Sequence, residues 1–229
     1  MAHPAAKMTL PEAVEGDWED IPKAGRSGTF GIADKPEEKR KVLSAYYAAV
    51  SYMDAQVGKV LAALEASGMA GRAIVVFTSD HGYHLGEHDF WQKMSLHEES
   101  ARVPLIMAGP GIKAGSCAGL VEAVDLYPTL AELAGLAVPG HCAGVSLAAQ
   151  LEDPGKAVRE DAYCLRSDSH LLRTPRWAYM RYKDGSEELY DMEKDPRQFV
   201  SLAEKEVEVV EEQRERLAKR LAGMKRAGE

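Results

Sequence analysis

The sequence predicts an α/β fold followed by a small antiparallel sheet that carries one helix. A long helical pattern precedes two apolar runs of strand length, AIVVFTS at 73–79 and VPLIMAG at 103–109, and a short helical pattern follows them. This alternation is typical of α/β layers. Beyond Gly155 the chain changes to short strand patterns separated by turn residues, which is typical of an antiparallel sheet.

We expect three segments along the chain. Residues 1–35 contain several prolines and no periodicity, so we expect an extended N-terminal coil. Residues 36–155 are expected to form the α/β part, and residues 156–229 a C-terminal α+β subdomain. With 229 residues, of which 45% are hydrophobic, the chain can bury one substantial core, or a larger core and a small second unit.

The first helix is predicted over residues 37–67. Apolar side chains recur at helical spacing from Leu43 onwards, Pro36 suits the first turn, and Gly68 suits the end of a helix. Asp54 lies inside the apolar stripe. Because a buried carboxylate needs hydrogen-bond donors, we expect Asp54 to be a buried hydrogen-bonding anchor.

The elements after this helix have clear patterns. The two apolar runs are rich in β-branched residues, which predicts strands covered on both faces in a parallel sheet. A short helix follows at 125–135, with Asp125 able to cap its start. Four short strands are then predicted between 161 and 192, with a hairpin turn at Lys183–Gly185, and an amphipathic helix over about 202–224 ends the chain.

Composition and charge exclude some classes of function. The net charge is -8 without a block of like charge, so we expect no nucleic-acid partner. The 3 cysteines are too few and too scattered for a disulfide framework or a zinc site. No apolar stretch approaches the length of a membrane span, and no export signal is recognisable, so we expect a soluble chain without a membrane partner.

The most informative stretch is IVVFTSDHGYHLGEHDFWQKMS at 74–95. Asp80 and His81 follow directly after a predicted strand, where α/β proteins bind ligands. A carboxylate and an imidazole suit a divalent ion, although Ser-Asp after a strand is also a common turn or helix cap. Lys93 could supply a positive charge for an anionic oxygen, while Trp91 is expected to pack the loop down. Three further histidines are weaker candidates, because loop histidines are more often solvated or bonded to backbone: His84, His88 and His97.

These residues resemble the sulfatases. The segment SDHGYHLGEHDFWQKMSLHEESARVPLIMAGPG at 79–111 is similar to a late active-site segment of that family, in the branch of iduronate-2-sulfatase and choline sulfatase. Three other segments, at 46–64, 123–135 and 188–203, resemble the family in the same order. The resemblance implies an alkaline-phosphatase-like α/β core and hydrolysis of sulfate esters or sulfamates at one bound calcium ion. It also implies that Asp80 and His81 are calcium ligands, and that Lys93 contacts the sulfate and stabilises charge on the bridging oxygen.

The family nucleophile does not occur in this sequence. That nucleophile is a formylglycine made within Cys/Ser-x-Pro-x-Arg, and none of the three cysteines, at 117, 142 and 164, has this context. The paired acidic calcium ligands of the family's first strand also have no counterpart. We therefore expect the C-terminal portion of a sulfatase core, with an incomplete ligand set and no activity as an isolated chain.

Two alternatives remain open at this stage. The chain could be a non-catalytic sulfatase-like scaffold that binds an anionic ligand or a partner, or a phosphatase or phosphodiesterase relative on the same fold. The expected partners are a sulfated small molecule or glycan, and either a missing N-terminal half or a second copy of the chain. Neither the substrate nor the compartment is predicted by the sequence.

Overall fold

A computed structural model describes residues 3–28, 31–32 and 34–227. The chain divides into two compact units, the first formed by Met1–Asp17 and Arg26–Pro110, the second by Trp18–Gly25 and Gly111–Glu229. The α-helices are Pro36–Ala66 (α1), Glu98–Ala101 (α2), Leu126–Leu133 (α3), Ala148–Glu152 (α4) and Val207–Ala227 (α5). The strands are Val75–Thr78 (β1), His84–Leu85 (β2), Trp91–Gln92 (β3), Leu105–Ala108 (β4), Ala162–Arg166 (β5), Ser169–Arg173 (β6), Trp177–Arg181 (β7) and Glu187–Asp191 (β8).

The first unit contains α1 and two small sheets. The predicted helix is confirmed with its proline in the first turn, but its apolar stripe lies at the surface: Leu43 is the only buried residue of α1, all of whose 31 residues are described. Tyr47 and Val50 of the stripe are 47% and 43% exposed. Asp54 is exposed as well, so the prediction of a buried anchor was wrong. The periodicity that predicted the helix was correct, and the burial inferred from it was not.

The two apolar runs of the first unit form strands, but not in a parallel sheet. β1 pairs with β4 in antiparallel register, from Val75 opposite Ala108 to Thr78 opposite Leu105. The two strands form a sheet of their own. Our expectation of parallel pairing was wrong here, because an apolar run predicts burial and not the direction of its partner.

The second unit is built on a four-stranded antiparallel sheet of order β5-β6-β7-β8, as the sequence predicted. Successive side chains point to opposite faces. One face packs on α5 through a cluster of buried side chains: Leu172, Tyr179, Leu189, Val210 and Leu217. The predicted hairpin joins β7 to β8, and Gly185 adopts the positive φ of 87° that this turn requires.

The other face of this sheet is contacted by residues 18–25, which come from the N-terminal coil. Ser201 donates its backbone N–H to the Asp20 carboxylate at 2.7 Å. A Cβ at Gly25 would lie 2.5 Å from a carboxylate oxygen of Glu188 and 2.7 Å from the Tyr182 hydroxyl, so a larger residue would displace these two side chains. The coil therefore has a structural role in the second unit. In the part of the chain that the structure describes, no helix is long and apolar enough to cross a membrane.

Candidate functional site

The candidate site lies at the carboxyl end of β1. The strand ends at Thr78, and the next residues turn away from it, with the Ser79 hydroxyl donating to the backbone carbonyl of His81 at 2.8 Å. The Asp80 side chain is 86% exposed and that of His81 is 34% exposed. Both side chains are thus accessible to a ligand.

Gly82 allows a close crossing of two backbone segments at this point. Its N–H donates to the carbonyl of Ser100 at 2.8 Å, and a Cβ at this position would lie 1.9 Å from the carbonyl oxygen of Glu99. No side chain can occupy that space. Gly82 therefore anchors the segment after β1 against α2, which holds the two residues before it in place.

The tautomer of His81 follows from its neighbours. Its Nδ1 lies 2.7 Å from the carbonyl oxygen of Gly82, which can only accept, so Nδ1 carries the proton. Nε2 then presents a lone pair, and the Lys93 ammonium donates to it at 2.8 Å. The same Nε2 is 3.7 Å from a carboxylate oxygen of Asp80. Asp80, His81 and Lys93 are therefore close together, although 12 positions separate the histidine from the lysine.

A compact loop carries Lys93 back to β1. The loop contains the β2–β3 hairpin, whose register pairs His84 with Gln92, and it turns through a short 3-10 helix at Glu87–Asp89. The Ser100 hydroxyl donates to the Lys93 carbonyl. Asp89 forms an ion pair of 2.5 Å with Lys39 of α1. Trp91 is buried, in line with the packing role predicted for it.

The three weaker histidine candidates do not join this site. His84, His88 and His97 are all buried within the loop, with ring centroids 4.7 to 6.2 Å apart. The sequence offered no signal for this arrangement, because loop histidines have no periodicity that reports burial. They form a separate cluster behind Lys93.

The residues at this site supply only part of a metal shell. Calcium takes 6–8 ligands, mostly oxygens. Asp80 offers carboxylate oxygens, and His81 offers the lone pair that Lys93 now occupies. Within residues 3–28, 31–32 and 34–227, no group of three or more His, Cys, Asp or Glu side chains is arranged to hold a metal ion. The pair fits as a fragment of a calcium site that needs further ligands, and Lys93 would have to leave Nε2 for the metal to bind there.

Comparison with known families decides the identity of the fold. The model of the Sulfatase family matches residues 10–136, and that of the C-terminal region of N-sulphoglucosamine sulphohydrolase matches residues 86–227. The chain belongs to the sulfatase family. The sulfatase core with a C-terminal antiparallel sheet and helix is thereby confirmed, as is membership of a family of sulfate-ester hydrolases.

The relatives of this chain are much longer than the chain itself. It is 34% identical over 190 residues to human arylsulfatase K, and the match covers 76% of this chain but 35% of that protein. A solved structure of a putative sulfatase from Bacteroides thetaiotaomicron superposes with a TM-score of 0.84 at 30% identity, covering 96% of this chain and 53% of that one. A second solved structure, in complex with its substrate D-glucosamine-2-N,6-O-disulfate, has a TM-score of 0.71 at 31% identity and covers 84% of this chain and 42% of that one. The chain thus spans about a third of the curated relative and about half of the solved structures.

Proposed function

We propose that this chain provides one part of a sulfatase active site, with Asp80 and His81 as ligands of a calcium ion and Lys93 as the group that binds the sulfate ester. The observation that carries the proposal is the convergence of these three side chains at the end of β1, with Nζ of Lys93 2.8 Å from Nε2 of His81. A bound calcium ion would act as a Lewis acid on a sulfate oxygen. His81 and Lys93 would then each have a defined role beside the ion.

The proposed role of His81 is to present the lone pair of Nε2 to the metal ion. The Gly82 carbonyl holds the proton on Nδ1, so Nε2 is available without prior loss of a proton. The exposed Asp80 carboxylate adds negative charge beside it. Together the two residues would hold a cation at the end of β1, with the Lys93 ammonium released from Nε2.

The proposed role of Lys93 is electrostatic stabilisation of the substrate. Its ammonium carries three donors on a flexible stem, and the loop backbone is held at Lys93 by the hydroxyl of Ser100. Once released from His81, the ammonium would donate to the bridging oxygen of the ester, where negative charge develops as the S–O bond breaks. Such stabilisation lowers the barrier only if the group is held in place, which is why the loop matters.

The attacking group has to come from residues outside this sequence. None of the three cysteines lies in a Cys/Ser-x-Pro-x-Arg context, and no serine does either. We propose that a further polypeptide segment, corresponding to the part of the longer relatives that this chain does not match, provides the nucleophile and the remaining calcium ligands. The chain by itself would then hydrolyse nothing.

The first unit has a surface that suits such a segment. The apolar stripe of α1 is exposed, with Tyr47 47%, Val50 43% and Leu61 44% accessible, and β1 pairs with β4 in a two-stranded sheet. Exposed apolar patches mark interaction sites, and two-stranded sheets are marginal without neighbours. A second α/β segment would cover the helix and extend the sheet. The alternative occupant of the same stripe is a second copy of this chain.

The proposed substrate is a sulfated glycan or small molecule. The solved relative with a sulfated glucosamine supports a glycan, and the 79–111 motif supports the branch of iduronate-2-sulfatase and choline sulfatase. The absence of a nucleophile motif from the sequence favours one other candidate, a non-catalytic scaffold that binds sulfated ligands. Restoration of activity separates the two.

The test joins this chain to the complementary segment of the Bacteroides thetaiotaomicron relative, with the enzyme that makes formylglycine co-expressed. We expect hydrolysis of an aryl sulfate to appear. Asp80→Ala should abolish it, and Lys93→Ala should lower turnover by about 10²-fold or more while calcium binding persists. Lys205→Ala, at an exposed lysine of the second unit, is the matched control and should keep full turnover.

The contrary results are equally clear. Full activity of Lys93→Ala would show that the loop has been assigned wrongly. No hydrolysis by a folded fusion that carries formylglycine and binds calcium would favour the scaffold.

A further inference from the structure

Three imidazoles form a buried cluster behind the loop that carries Lys93. The rings of His88 and His97 have centroids 4.7 Å apart, and the ring of His84 lies 6.1 and 6.2 Å from them. The Phe90 ring lies within 5.8 Å of all three. We call His84, His88 and His97 with Phe90 the imidazole cluster. All four side chains are buried, so the loop is folded around titratable groups rather than aliphatic ones.

The imidazole cluster joins separate parts of the first unit. Nδ1 of His88 lies 3.0 and 3.1 Å from the two carboxylate oxygens of Asp17, and its Nε2 is 4.0 Å from Oε2 of Glu99 in α2. Nε2 of His84 lies 2.6 Å from the Ser95 hydroxyl, two residues beyond Lys93. If the cluster opens, both the loop and its attachment to α2 are released. The position of Lys93 therefore depends on the cluster.

The charges that face the cluster can balance one imidazolium. The carboxylates of Asp17 and Glu99 both approach His88. The two other acids of the loop are engaged elsewhere: Glu87 accepts from the Leu85 N–H at 2.6 Å, and Asp89 pairs with Lys39 at 2.5 Å. A second positive charge, on His84 or His97, would lie in a ring whose centroid is 6.1 or 4.7 Å from that of His88, in a buried site where like charges repel strongly.

The pKa shifts of His84 and of the neighbouring Glu99 agree with this geometry. Burial lowers the pKa of His84 to about 2, with repulsion from His97 and then His88 adding to the effect and a hydrogen bond with the Glu87 backbone opposing it. Burial also raises the pKa of Glu99, against the influence of its own backbone hydrogen bond and the nearby histidines. Both shifts disfavour additional charge in the cluster.

We propose that the imidazole cluster is a pH-sensitive clamp that positions Lys93, closed while His84 is neutral and opening when acid protonates His84 in the released loop. A histidine whose folded pKa is depressed stabilises the closed form fully above its released pKa of about 6.5, and this stability is lost as pH falls below that value. The consequence for sulfate hydrolysis rests on the proposed function. The clamp itself does not.

The size of the effect follows from linkage. His84 has a pKa of about 2 in the closed form and about 6.5 in the released loop. Its protonation therefore raises the equilibrium constant for loop opening about 30-fold at about pH 5 and hardly at all at about pH 7.5. The loop is therefore expected to open locally well before the rest of the fold responds.

Hydrogen exchange of the full chain tests the clamp without any activity. The reporters are the amides of Gly82 and Phe90, which donate to Ser100 and Glu87, and strands β6 to β8 serve as an internal reference. After correction for intrinsic rates, protection of the reporters should fall about 30-fold or more between about pH 7.5 and about pH 5, relative to the reference.

Variants separate the clamp from general acid instability. His84→Gln/His97→Gln carries side chains that can form hydrogen bonds but do not titrate, so its reporters should change less than about 3-fold. His141→Gln, at an exposed histidine of the second unit, should retain the wild-type ratio. If circular dichroism shows that the double variant does not fold, His84→Gln alone should reduce the ratio by about 30-fold. An unchanged ratio in these variants, or a wild-type ratio below about 3, would overturn the proposal.

Discussion

The state of His81 at the candidate site is set by one backbone carbonyl. Because Gly82 fixes the proton on Nδ1, Lys93 and a metal compete for a single lone pair on Nε2. The arrangement explains how a lysine can lie against a predicted metal ligand. In a loaded site the ammonium would be free to bind an anionic oxygen, so metal binding and substrate binding would be coupled through this nitrogen.

At the same scale, Gly82→Ala should destabilise the first unit. The new Cβ would lie 1.9 Å from the Glu99 carbonyl oxygen and collide with it. The backbone cannot move away without breaking the hydrogen bond from the Gly82 N–H to the Ser100 carbonyl. We expect a loss of about 1–3 kcal/mol in the free energy of unfolding, measured by urea titration. Gly58→Ala in α1 is the control, since nothing lies within 4 Å of its Cβ, and it should gain about 0.5–1 kcal/mol. Equal effects of the two substitutions would contradict the close crossing.

Among the elements, α1 was predicted correctly as a helix, but the burial of its apolar stripe was predicted wrongly. It has the length and the apolar stripe of a core helix, yet its stripe is exposed on the isolated chain. Helices of this kind gain most of their stability from packing of the apolar face rather than from intrinsic propensity. The stripe is therefore the surface most in need of a partner.

We expect the isolated chain to self-associate through α1. Tyr47→Glu/Val50→Glu should shift the population toward monomer in sedimentation velocity at about 10 μM, because charge on the stripe opposes its burial in a contact. Val200→Glu, which places the same charge at an exposed valine of the second unit, is the control and should leave the distribution unchanged. A chain that is already a monodisperse monomer with a sharp cooperative melt would rule this expectation out.

On the scale of the whole molecule, the two units differ in how complete they are. The second unit has a four-stranded sheet with α5 on one face and residues 18–25 against the other. The first has two two-stranded sheets, a mostly exposed helix and a candidate site with few ligands. The family resemblance extends over both units, so the difference lies in what each unit can bury and bind by itself.

Calcium should therefore change the stability of the isolated chain very little. A ligand stabilises a protein only to the extent that it binds the folded state, and Asp80 with His81 offers a small part of the 6–8 ligands that calcium requires. We expect millimolar calcium to raise the melting temperature by less than about 2 °C, with Asp80→Ala behaving in the same way. A large upward shift that Asp80→Ala removes would show that the chain holds a more complete site than these residues indicate.

The sequence by itself predicted the first and last helices, the apolar strands and the antiparallel sheet, and it named candidate site residues. The spacing of apolar residues predicted α1 within one residue at each end, and the turn residues beyond Gly155 predicted the antiparallel sheet. The motif after β1 predicted Asp80, His81 and Lys93 as candidate site residues. These signals are local, because helical periodicity, turn chemistry and motif spacing are all properties of neighbouring residues.

Only the tertiary structure decided pairing and burial. It placed β1 antiparallel to β4, left Asp54 in solvent, and assigned residues 18–25 to the second unit. It also collected His84 and His97 with a third imidazole in one buried cluster. Such features depend on contacts between residues far apart in the chain, and the amino-acid pattern around a histidine or a strand does not specify what will pack against it.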